Sequence, residues 1–493
     1  METKIQIIKF GGTSVGSGER IRRVANIIAH KVHDSGEDFP VVVVSAMAGI
    51  TDQLLRIARL ACSGEYQDCE TELNALIQIH LEAAKNLLLK HEDRYNQLVH
   101  DLEEAFAKLK QDVTELQSSV TTAFAHEIPQ WTAAVAAWGE RLSVLLVAAA
   151  VCNHGIQAVP VHEEAIITRP PQRETHQPPG TVVGTEPLTE ETRVNAQKLA
   201  HPLIEHRIVP IMPGFIGRTT AGFVTTLGRN GSDYSASVIG AALDCTEVTI
   251  YTDVDGVLSA DPRIVANARL LPRLSYAEAA RLSWFGAKVL HPRTLIPIAH
   301  RNIPVRVRNT FRPHSRGTVV GSERTQRSAA AAITIRHQLA LITVENTDMF
   351  GAPENAGQVF ALAARAGAAP VAICSSSGYH LSFMVEEQAA DSVLALLQHD
   401  MGTWRVICIR GLAACACIGS GFSADPMSPA RAITALARER IPVVTQGASE
   451  SGIILIVEDQ DSERALRCLH RDLIAPVIPL VRHGTQEKRR EAR

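Results

Sequence analysis

Two apolar segments near the amino terminus constrain the fold of this chain most. "KIQIIKF" (4–10) reads as a strand, and "PVVVVSA" (40–46) is apolar on both faces, which is typical of buried parallel strands. Between them, "ERIRRVANIIAHKVH" (19–33) has the periodicity of an amphipathic helix. A strand, a helix and a second parallel strand form a βαβ unit, whose sheet needs helices on both faces. The segment therefore predicts an α/β domain with a mostly parallel sheet.

An internal repeat predicts a different architecture for the carboxyl-terminal part. "VFALAARAGAAPVAICSSSGYHLSFMV" (359–385) aligns without a gap with "RAITALARERIPVVTQGASESGIILIV" (431–457), at an offset of 72 residues. Each copy reads as helix, strand, turn and strand, and a further strand precedes each helix ("LALITVEN" and "LAACACIG"). The sequence thus predicts two βαββ units of α+β type, separated from the first domain by the polar segment 312–328.

Length and composition narrow the class of protein. A chain of 493 residues is too long for one core, so several domains are expected. Lys and Arg number 49 against 52 Asp and Glu, a net charge of −3, which argues against a nucleic-acid partner. No uninterrupted apolar run reaches the ~18 residues of a membrane span, so no membrane association is expected. Nine scattered cysteines without C-x-x-C spacing predict reduced thiols in a cytoplasmic protein.

The segment "IGSGFSA" (418–424) raises a competing interpretation. Gly419, Gly421 and Ala424 match the G-x-G-x-x-A turn of dinucleotide-binding proteins. That fold requires a parallel second strand ending in an acidic residue about 20 residues further on. Here the following helix leads to "IPVVTQ", a strand ending in Gln446, which turns through "GASESG" into "IILIV". This order predicts an antiparallel hairpin, so we interpret the turn as part of the second repeat unit.

Three glycine-rich turns in the first domain follow predicted strands: "KFGGTSVG" (9–16), "TTLGRNGSDYSA" (225–236) and "YTDVDGVLSADPR" (251–263). Glycine lets the backbone approach a ligand closely, and the start of the helix after such a turn offers N–H groups to phosphate. Lys9 adds a positive charge, and Arg229 suits a carboxylate or phosphate. Helix capping or turn formation could explain each turn alone. Together they favour a ligand at the carboxyl ends of the strands.

These turns, with "SAMAGITDQL" (45–54), "GERLS" (139–143) and "FGAKVLHPRT" (285–294), resemble the aspartokinases of the amino acid kinase superfamily. The likeness is closest to the kinase half of bifunctional aspartokinase–homoserine dehydrogenases. The repeat units resemble the tandem ACT regulatory domains of the same family. The resemblance implies an amino acid kinase domain over 1–325, ACT domains over 326–402 and 403–482, and a charged tail over 483–493.

The resemblance also implies the reaction. MgATP would transfer its terminal phosphoryl group to the β-carboxylate of L-aspartate, giving 4-phospho-L-aspartate, the first step of lysine, threonine and methionine biosynthesis. Lys9 stabilises charge on the transferred group, and Asp233 organises the phosphate-binding lysines and assists Mg²⁺, which arrives as MgATP rather than at a protein metal site. The implied ATP-binding residues are Lys9, Gly11, Gly12, Thr252, Asp253, Arg263 and Lys288.

On the substrate side, the resemblance implies contacts from Ser45, Thr51, Glu140, Arg229 and Ser232. Glu140 would bind the α-ammonium group, and Arg229 a carboxylate. Two further positions qualify this picture. Leu258 replaces an aromatic residue that is frequent in the family's nucleotide segment, and leucine cannot stack on adenine as a ring does. His291 is interpreted as structural, because an ionised carboxylate acceptor needs no general base.

ACT pairs in this family bind amino acids and form dimers, which implies a homo-oligomer with threonine or lysine as an effector. The implied effector contacts are Met349, Asn355, Ser375 and Gln446. Cys374 stands 72 residues before Gln446, where a second glutamine would be expected. An ACT pair without a ligand is the alternative.

Three other functions compete with aspartate phosphorylation. A glutamate or acetylglutamate kinase is disfavoured by the full set of motifs, and a non-catalytic amino-acid sensor by the presence of Lys9, Arg229 and Asp233. A bifunctional enzyme would carry a dehydrogenase after the second repeat. The chain ends soon after that repeat, so kinase activity alone is expected.

Overall fold

The computed structural model describes residues 3–34, 38–88, 91–121, 128–162, 164–171, 184–287, 290–322, 330–345, 353–376, 379–402, 404–419, 422, 425–449 and 451–474. The chain divides into two compact units. The first comprises Met1–Leu258 and Ala268–Thr325, and the second comprises Ser259–Asn267 and Gln326–Arg493. The short segment Ser259–Asn267 therefore packs with the second unit, although the sequence analysis had assigned it to the first.

The first unit is built on an eight-stranded sheet in the order β3-β5-β2-β1-β8-β10-β11-β9. Neighbouring strands from β3 to β10 are parallel, β11 is antiparallel to β10, and β9 is parallel to β11. A three-stranded sheet has the order β4-β6-β7. The strands are β1 (Lys4–Phe10), β2 (Asp38–Val44), β3 (Ala158–Pro160), β4 (Ile167–Thr168), β5 (Val209–Pro213), β6 (Ile216–Thr219), β7 (Val224–Thr226), β8 (Glu247–Thr252), β9 (Arg273–Ser275), β10 (Val305–Asn309) and β11 (Thr318–Gly321). The predicted mostly parallel sheet is confirmed.

The central strands are buried as their composition predicts. Six of the seven residues of β1 and six of the seven of β2 are buried. Complete burial of one Ile or Val side chain stabilises the fold by about 1.5–3 kcal/mol, so this pair of strands contributes strongly to the core. Strand β11 lies inside the polar segment 312–328, which the sequence predicts to be a domain boundary. The segment reads as a loop because it contains only two aliphatic residues, Val319 and Val320. It forms a strand because it pairs with β10.

The helices of the first unit are α1 (Gly18–Asp34), α2 (Ile50–Ser63), α3 (Tyr66–Leu88), α4 (Glu92–Thr121), α5 (Ile128–Cys152), α6 (Thr189–Glu205), α7 (Gly231–Ala242), α8 (Tyr276–Trp284) and α9 (Pro292–Ala299). Helix α5 is long and apolar enough to cross a membrane by length and composition alone, with a mean hydropathy of 1.6 over its most apolar window. Within that window 83% of the residues are buried inside the protein. The apolar composition of α5 is therefore explained by its burial in the protein core.

The second unit contains a six-stranded sheet in the order β13-β14-β12-β15-β17-β16. Its elements are β12 (Ala332–Glu345), α10 (Pro353–Arg365), β13 (Ala372–Ser376), β14 (His380–Glu386), α11 (Ala390–Asp400), β15 (Arg405–Ile418), α12 (Met427–Arg438), β16 (Thr445–Ser449), β17 (Gly452–Glu458) and α13 (Ser462–Leu473). Each repeat forms the predicted βαββ unit, followed by one more helix. Strands β12 and β15 have 14 residues each and pair with one another along most of their length, which joins the repeats in one sheet.

The hairpin predicted for the second repeat is confirmed, because β16 and β17 are antiparallel. A dinucleotide-binding arrangement is thereby excluded for the turn at Gly419, whose N–H donates to Ser451 O at 3.0 Å. Gly421 and Ala424 lie outside the described residues. Gln446 is the second residue of β16 rather than the end of a strand, because "IPVV" is not part of the strand and the pairing begins at Thr445.

Candidate active site

Five parallel strands of the first unit end at a common edge of the sheet. The register pairs Phe10 with Val44 and with Tyr251, and Thr252 with Asn309, so β1, β2, β8 and β10 stop together, and β5 ends beside β2. Ligands of open α/β sheets bind at this carboxyl edge. Thr252 is the last residue of β8, and the predicted residues in the loops that follow these strands are Gly11, Gly12, Ser45 and Asp253.

Lys9 and Asp233 form an ion pair at this edge. Lys9 Nζ lies 2.5 Å from Asp233 Oδ1, and both side chains are largely buried. Asp233 belongs to the first turn of α7, whose N-cap, Asn230, makes no side-chain capping hydrogen bond. A buried cation and a helix N-terminus with backbone N–H groups are the features that bind phosphate. The fold therefore brings together the two predicted catalytic residues, which lie more than 200 positions apart in the sequence.

The N-terminus of α7 lies at this position, because Asp233 in its first turn pairs with Lys9. The sequence also predicts that the helix after Gly12 offers its N-terminus to phosphate. Helix α1 begins only at Gly18, where an added Cβ would lie 2.7 Å from the carbonyl oxygen of Ala83 in α3. Its first residue is thus packed against another helix. Helix α7 instead approaches the sheet edge closely, because Gly214 after β5 would place a Cβ 2.8 Å from Cβ of Ser232.

Gly12 is required by a close approach of two loops. A Cβ at this position would lie 2.9 Å from the carbonyl oxygen of Ala46, in the loop after β2. A backbone oxygen cannot swing away as a flexible side chain can. The two loops that carry Gly12 and Ser45 are therefore held against each other.

Replacing Gly12 with alanine should separate these loops and lower kcat/KM by about 100-fold, since a displacement of about 1 Å in a phosphoryl-transfer site has this effect. Steady-state kinetics with ATP and aspartate measures it. Gly321→Ala is the matched control, because an added Cβ there meets no atom within 4 Å. Equal kcat/KM for Gly12→Ala and the unmodified protein would contradict the role of this contact.

Glu140 is a completely buried carboxylate beside the same loop. Its Oε1 accepts a hydrogen bond from Ala46 N at 3.0 Å, while Oε2 is buried without a hydrogen-bond partner among the described residues. Burial raises the pKa of Glu140 to about 8, against the opposing effects of the Ala46 N–H and the charge of Lys9. Gly139 permits this geometry, since its Cβ would lie 2.7 Å from Cβ of Ala46. An unsatisfied buried carboxylate is costly, so the position favours a cationic ligand group.

The other predicted substrate residues occupy three loops or helix starts. Ser45 directly follows β2 and Thr51 lies in the first turn of α2, and both are half-buried. Arg229 is exposed in the turn before α7, whereas Ser232 is buried in the first turn of that helix. This exposure leaves the Arg229 guanidinium accessible to an anionic ligand.

Asn309 is a positioning residue that the sequence analysis missed. It ends β10, and its side-chain amide donates to Asp253 O at 3.3 Å and to Asp255 Oδ1 at 2.8 Å. Arg312 also pairs with Asp255 at 2.6 Å. The Thr252 hydroxyl donates to Asp253 Oδ1 at 3.1 Å, a local contact that fits a capping role for Asp253. The available signal was that "RVRNT" ends at the edge shared with the glycine-rich turns.

Arg293 is a second residue that was missed. Its guanidinium donates to Glu186 Oε1 at 2.7 Å and to Leu227 O at 3.3 Å, and it lies 4.8 Å from the centre of the Tyr234 ring. It thereby holds the chain directly before Gly228 and Arg229. His291 caps α9 by accepting a hydrogen bond from Arg293 N at 3.2 Å, which agrees with its predicted structural role.

The remaining predicted residues lie elsewhere. Lys288 and Met349 fall outside the described residues. Arg263 belongs to the segment that packs with the second unit. Asn355 is in α10, Ser375 is in β13, and Gln446 is exposed on β16. Across the described residues, no group of three or more His, Cys, Asp or Glu side chains is placed to hold a metal ion.

Comparison with known proteins decides the family. The model of the amino acid kinase family matches residues 4–309, which covers the strands and turns described above. The chain belongs to the amino acid kinase family. A model of the ACT domain matches residues 416–473, within the second repeat of this amino acid kinase. The predicted fold class is thus confirmed.

Relatives of this amino acid kinase confirm the resemblance to aspartokinases. It is 32% identical to bifunctional aspartokinase/homoserine dehydrogenase 2 of Arabidopsis thaliana, over 94% of this chain and 50% of that protein. It is 28% identical to aspartokinase 3 of the same plant, over 94% of this chain and 80% of that protein. The chain spans about half the length of the bifunctional relatives that it matches.

A solved structure is similar over nearly the whole chain. E. coli aspartokinase III in complex with aspartate and ADP matches with a TM-score of 0.77 and 28% identity, covering 96% of this chain and all of that one. The same E. coli enzyme in complex with lysine and aspartate matches with a TM-score of 0.73.

Proposed function

We propose that this amino acid kinase transfers the terminal phosphoryl group of ATP to the β-carboxylate of L-aspartate, forming 4-phospho-L-aspartate and ADP. The observation that carries the proposal is the pairing of two features at one sheet edge. Lys9, Asp233 and the N-terminus of α7 suit a transferred phosphoryl group, and the buried Glu140 beside Ala46 suits an ammonium group. The complex of E. coli aspartokinase III with aspartate and ADP supports the same pair of ligands.

Phosphoryl transfer requires positioning and neutralisation of charge rather than covalent participation of the protein. Lys9 neutralises charge on the transferred group, and Asp233 holds the Lys9 ammonium in place. The acceptor oxygen is already ionised, so no base is needed to activate it. Mg²⁺ keeps several waters and binds proteins through one or two carboxylates together with substrate phosphates. Asp233 would serve as such a carboxylate, with Mg²⁺ neutralising the phosphate charge.

We further propose that the second unit binds an amino acid effector, lysine or threonine, and joins copies of the chain into a homo-oligomer. The lysine complex of E. coli aspartokinase III supports the first part. Large exposed apolar side chains on the described part of this unit support the second, and they include Ile373, Tyr379, Ile409, Met427 and Ile433. A cytoplasmic location suits the nine free cysteines.

A hydroxamate assay tests the activity. Purified protein, ATP, Mg²⁺ and hydroxylamine should give aspartyl hydroxamate with aspartate, and much less product with glutamate or N-acetylglutamate. If none of the three substrates, aspartate, glutamate or N-acetylglutamate, gave a hydroxamate, the proposal would be overturned and the non-catalytic sensor would be favoured. Titration with lysine, threonine and methionine then tests the effector, and flat activity with all three would remove the regulatory part.

A further inference from the structure

A buried pair of hydroxyl groups joins the loop after β1 to the residue that follows β10. Ser14 Oγ lies 2.6 Å from Thr310 Oγ1, and both side chains are completely buried. The two residues are 296 positions apart in the sequence, and both belong to the first unit. A buried hydroxyl that loses its partner cannot bond to water instead, so this contact is costly to break.

Ser14 belongs to a compact turn, residues 11–15, that passes beside Lys9. Its backbone N–H and that of Val15 both donate to Gly11 O, at 2.8 and 3.3 Å. An added Cβ at Gly11 would lie 3.4 Å from Lys9 Nζ, so the backbone of the turn runs next to that ammonium group. The Ser14 side chain therefore anchors a turn that borders the Lys9 ion pair.

Thr310 belongs to a second turn, which holds the segment after β8. Thr310 N donates to Thr252 O at 2.8 Å, and the Asn309 amide donates to Asp253 O at 3.3 Å. The hydroxyl pair thus connects the loops that follow β1 and β8. Both loops lie at the carboxyl edge of the sheet, where the candidate active site is built.

Helix α1 adds weaker contacts around the same pair. The Arg20 guanidinium donates to Thr13 O at 2.9 Å and lies 5.4 Å from the centre of the Phe311 ring. Arg23 lies at the same distance from that ring. Hydrogen bonds and cation–π contacts at exposed positions contribute less than a bond between buried groups. The hydroxyl pair is therefore the contact whose loss should displace the turn most.

We infer that Ser14 and Thr310 are positioning residues for phosphoryl transfer: their hydroxyl pair holds the turn beside Lys9 in a fixed position relative to the segment after β8. The inference rests on the proposed kinase function. Both hydroxyls are buried, so they act through the loops that they connect rather than on a ligand. Phosphoryl transfer requires the attacking and leaving oxygens to be in line, so the relative position of these loops sets turnover.

Two substitutions of Thr310 separate the hydroxyl from the volume of the side chain. Thr310→Val keeps the shape without the hydroxyl and should lower kcat by about 10-fold, less than the about 100-fold of a full 1 Å misplacement, because other contacts still hold the turn. Thr310→Ser keeps the hydroxyl and should leave kcat within about 2-fold. KM for aspartate should change less than about 2-fold in both, since the contact between Glu140 and Ala46 is retained. A role in packing alone predicts the reverse order, because only serine leaves a cavity.

The other side of the bond provides a second test. Ser14→Ala should lower kcat as Thr310→Val does, and the two losses should not add in the double variant, since the same bond is removed only once. Thr168→Val is the matched control. It removes another buried hydroxyl, bonded to Thr225 Oγ1 at 2.8 Å in the three-stranded sheet, and should leave kcat within about 2-fold.

Normal kcat in Thr310→Val would overturn the inference, as would an equal loss of kcat in Thr310→Ser or in Thr168→Val. An unmodified protein that forms no aspartyl hydroxamate would instead refute the proposed function.

Hydrogen exchange measures the position of the loops without activity. In Thr310→Val, peptides that cover residues 11–16 and 252–255 should exchange about 10-fold faster than in the unmodified protein, because a buried bond no longer opposes local opening. The same peptides should exchange at the unmodified rate in Thr168→Val. Equal exchange in Thr310→Val and Thr168→Val would show that the hydroxyl pair does not hold these loops, whether or not the protein is active.

Discussion

Replacing Glu140 with glutamine should greatly weaken the binding of aspartate and at the same time stabilise the unliganded protein at pH 8. The two effects have one cause, the complete burial of a carboxylate whose second oxygen has no hydrogen-bond partner among the described residues. Glutamine keeps an oxygen that can accept from Ala46 N, but it cannot neutralise an ammonium group. We expect KM for aspartate to rise at least 100-fold, since an ion is then bound without its counter-charge.

The stability effect has a defined direction with pH. The carboxyl group of Glu140 has a pKa near 4.5 in the unfolded chain and about 8 in the folded protein. Between these values the folded state holds a proton that the unfolded state has lost, so the free energy of unfolding falls as pH rises from about 4.5 to about 8. The loss is on the order of a few kcal/mol. Glu140→Gln lacks this contribution, and its melting temperature should fall less over the same range.

Melting temperatures at pH 5, 6.5 and 8 test this directly. Glu278→Gln is the control, because Glu278 is also buried but serves in the capping box of α8. Binding of aspartate to the unmodified protein near pH 7 should release a proton from Glu140, seen as a dependence of the calorimetric enthalpy on the buffer. This account would be contradicted if the melting temperatures of Glu140→Gln and the unmodified protein changed equally with pH. It would also be contradicted if aspartate binding released no proton.

Removing the charge of Lys9 should give the largest loss of turnover. Methionine retains most of the volume of lysine but leaves the transferred phosphoryl group without its buried cation, so kcat should fall by at least 100- to 1,000-fold. Lys9→Met also leaves the Asp233 carboxylate largely buried and unpaired, which should destabilise the fold by about 3 kcal/mol. Initial rates with saturating ATP and aspartate, and urea unfolding, measure the two effects.

A second substitution separates charge from stability. Combining Lys9→Met with Asp233→Asn removes the unpaired charge and should recover most of the lost stability without recovering activity. Arg306 and Glu247 provide the matched pair, since they form a 2.7 Å ion pair at the opposite, amino-terminal ends of β10 and β8. Arg306→Met should destabilise the protein while leaving kcat nearly unchanged. Recovery of activity in the double variant would rule out Lys9 as the charge that acts on the phosphoryl group.

Several parts of the fold and site were predictable because their signals are local. Apolar strands near the amino terminus predicted the parallel sheet, and the 72-residue repeat predicted both βαββ units. Since parallel strands present their carboxyl ends at one edge, the turns at Gly11 and Thr252 could be expected to lie together. Strand β11 was not predicted, because its four residues carry almost no local signal.

The sequence by itself determined most of the elements, their order and the residue types available for the chemistry. Only the tertiary structure decided which of them interact. The first turn of α7 lies beside Lys9, the Glu140 carboxylate meets Ala46 from 94 positions away, and Ser259 meets His470 from 211 positions away. Desolvation, close backbone approach and buried hydrogen bonds depend on such distant neighbours. For this reason the raised pKa of Glu140 and the packing of Ser259–Asn267 with the second unit could not be inferred from any window of the sequence.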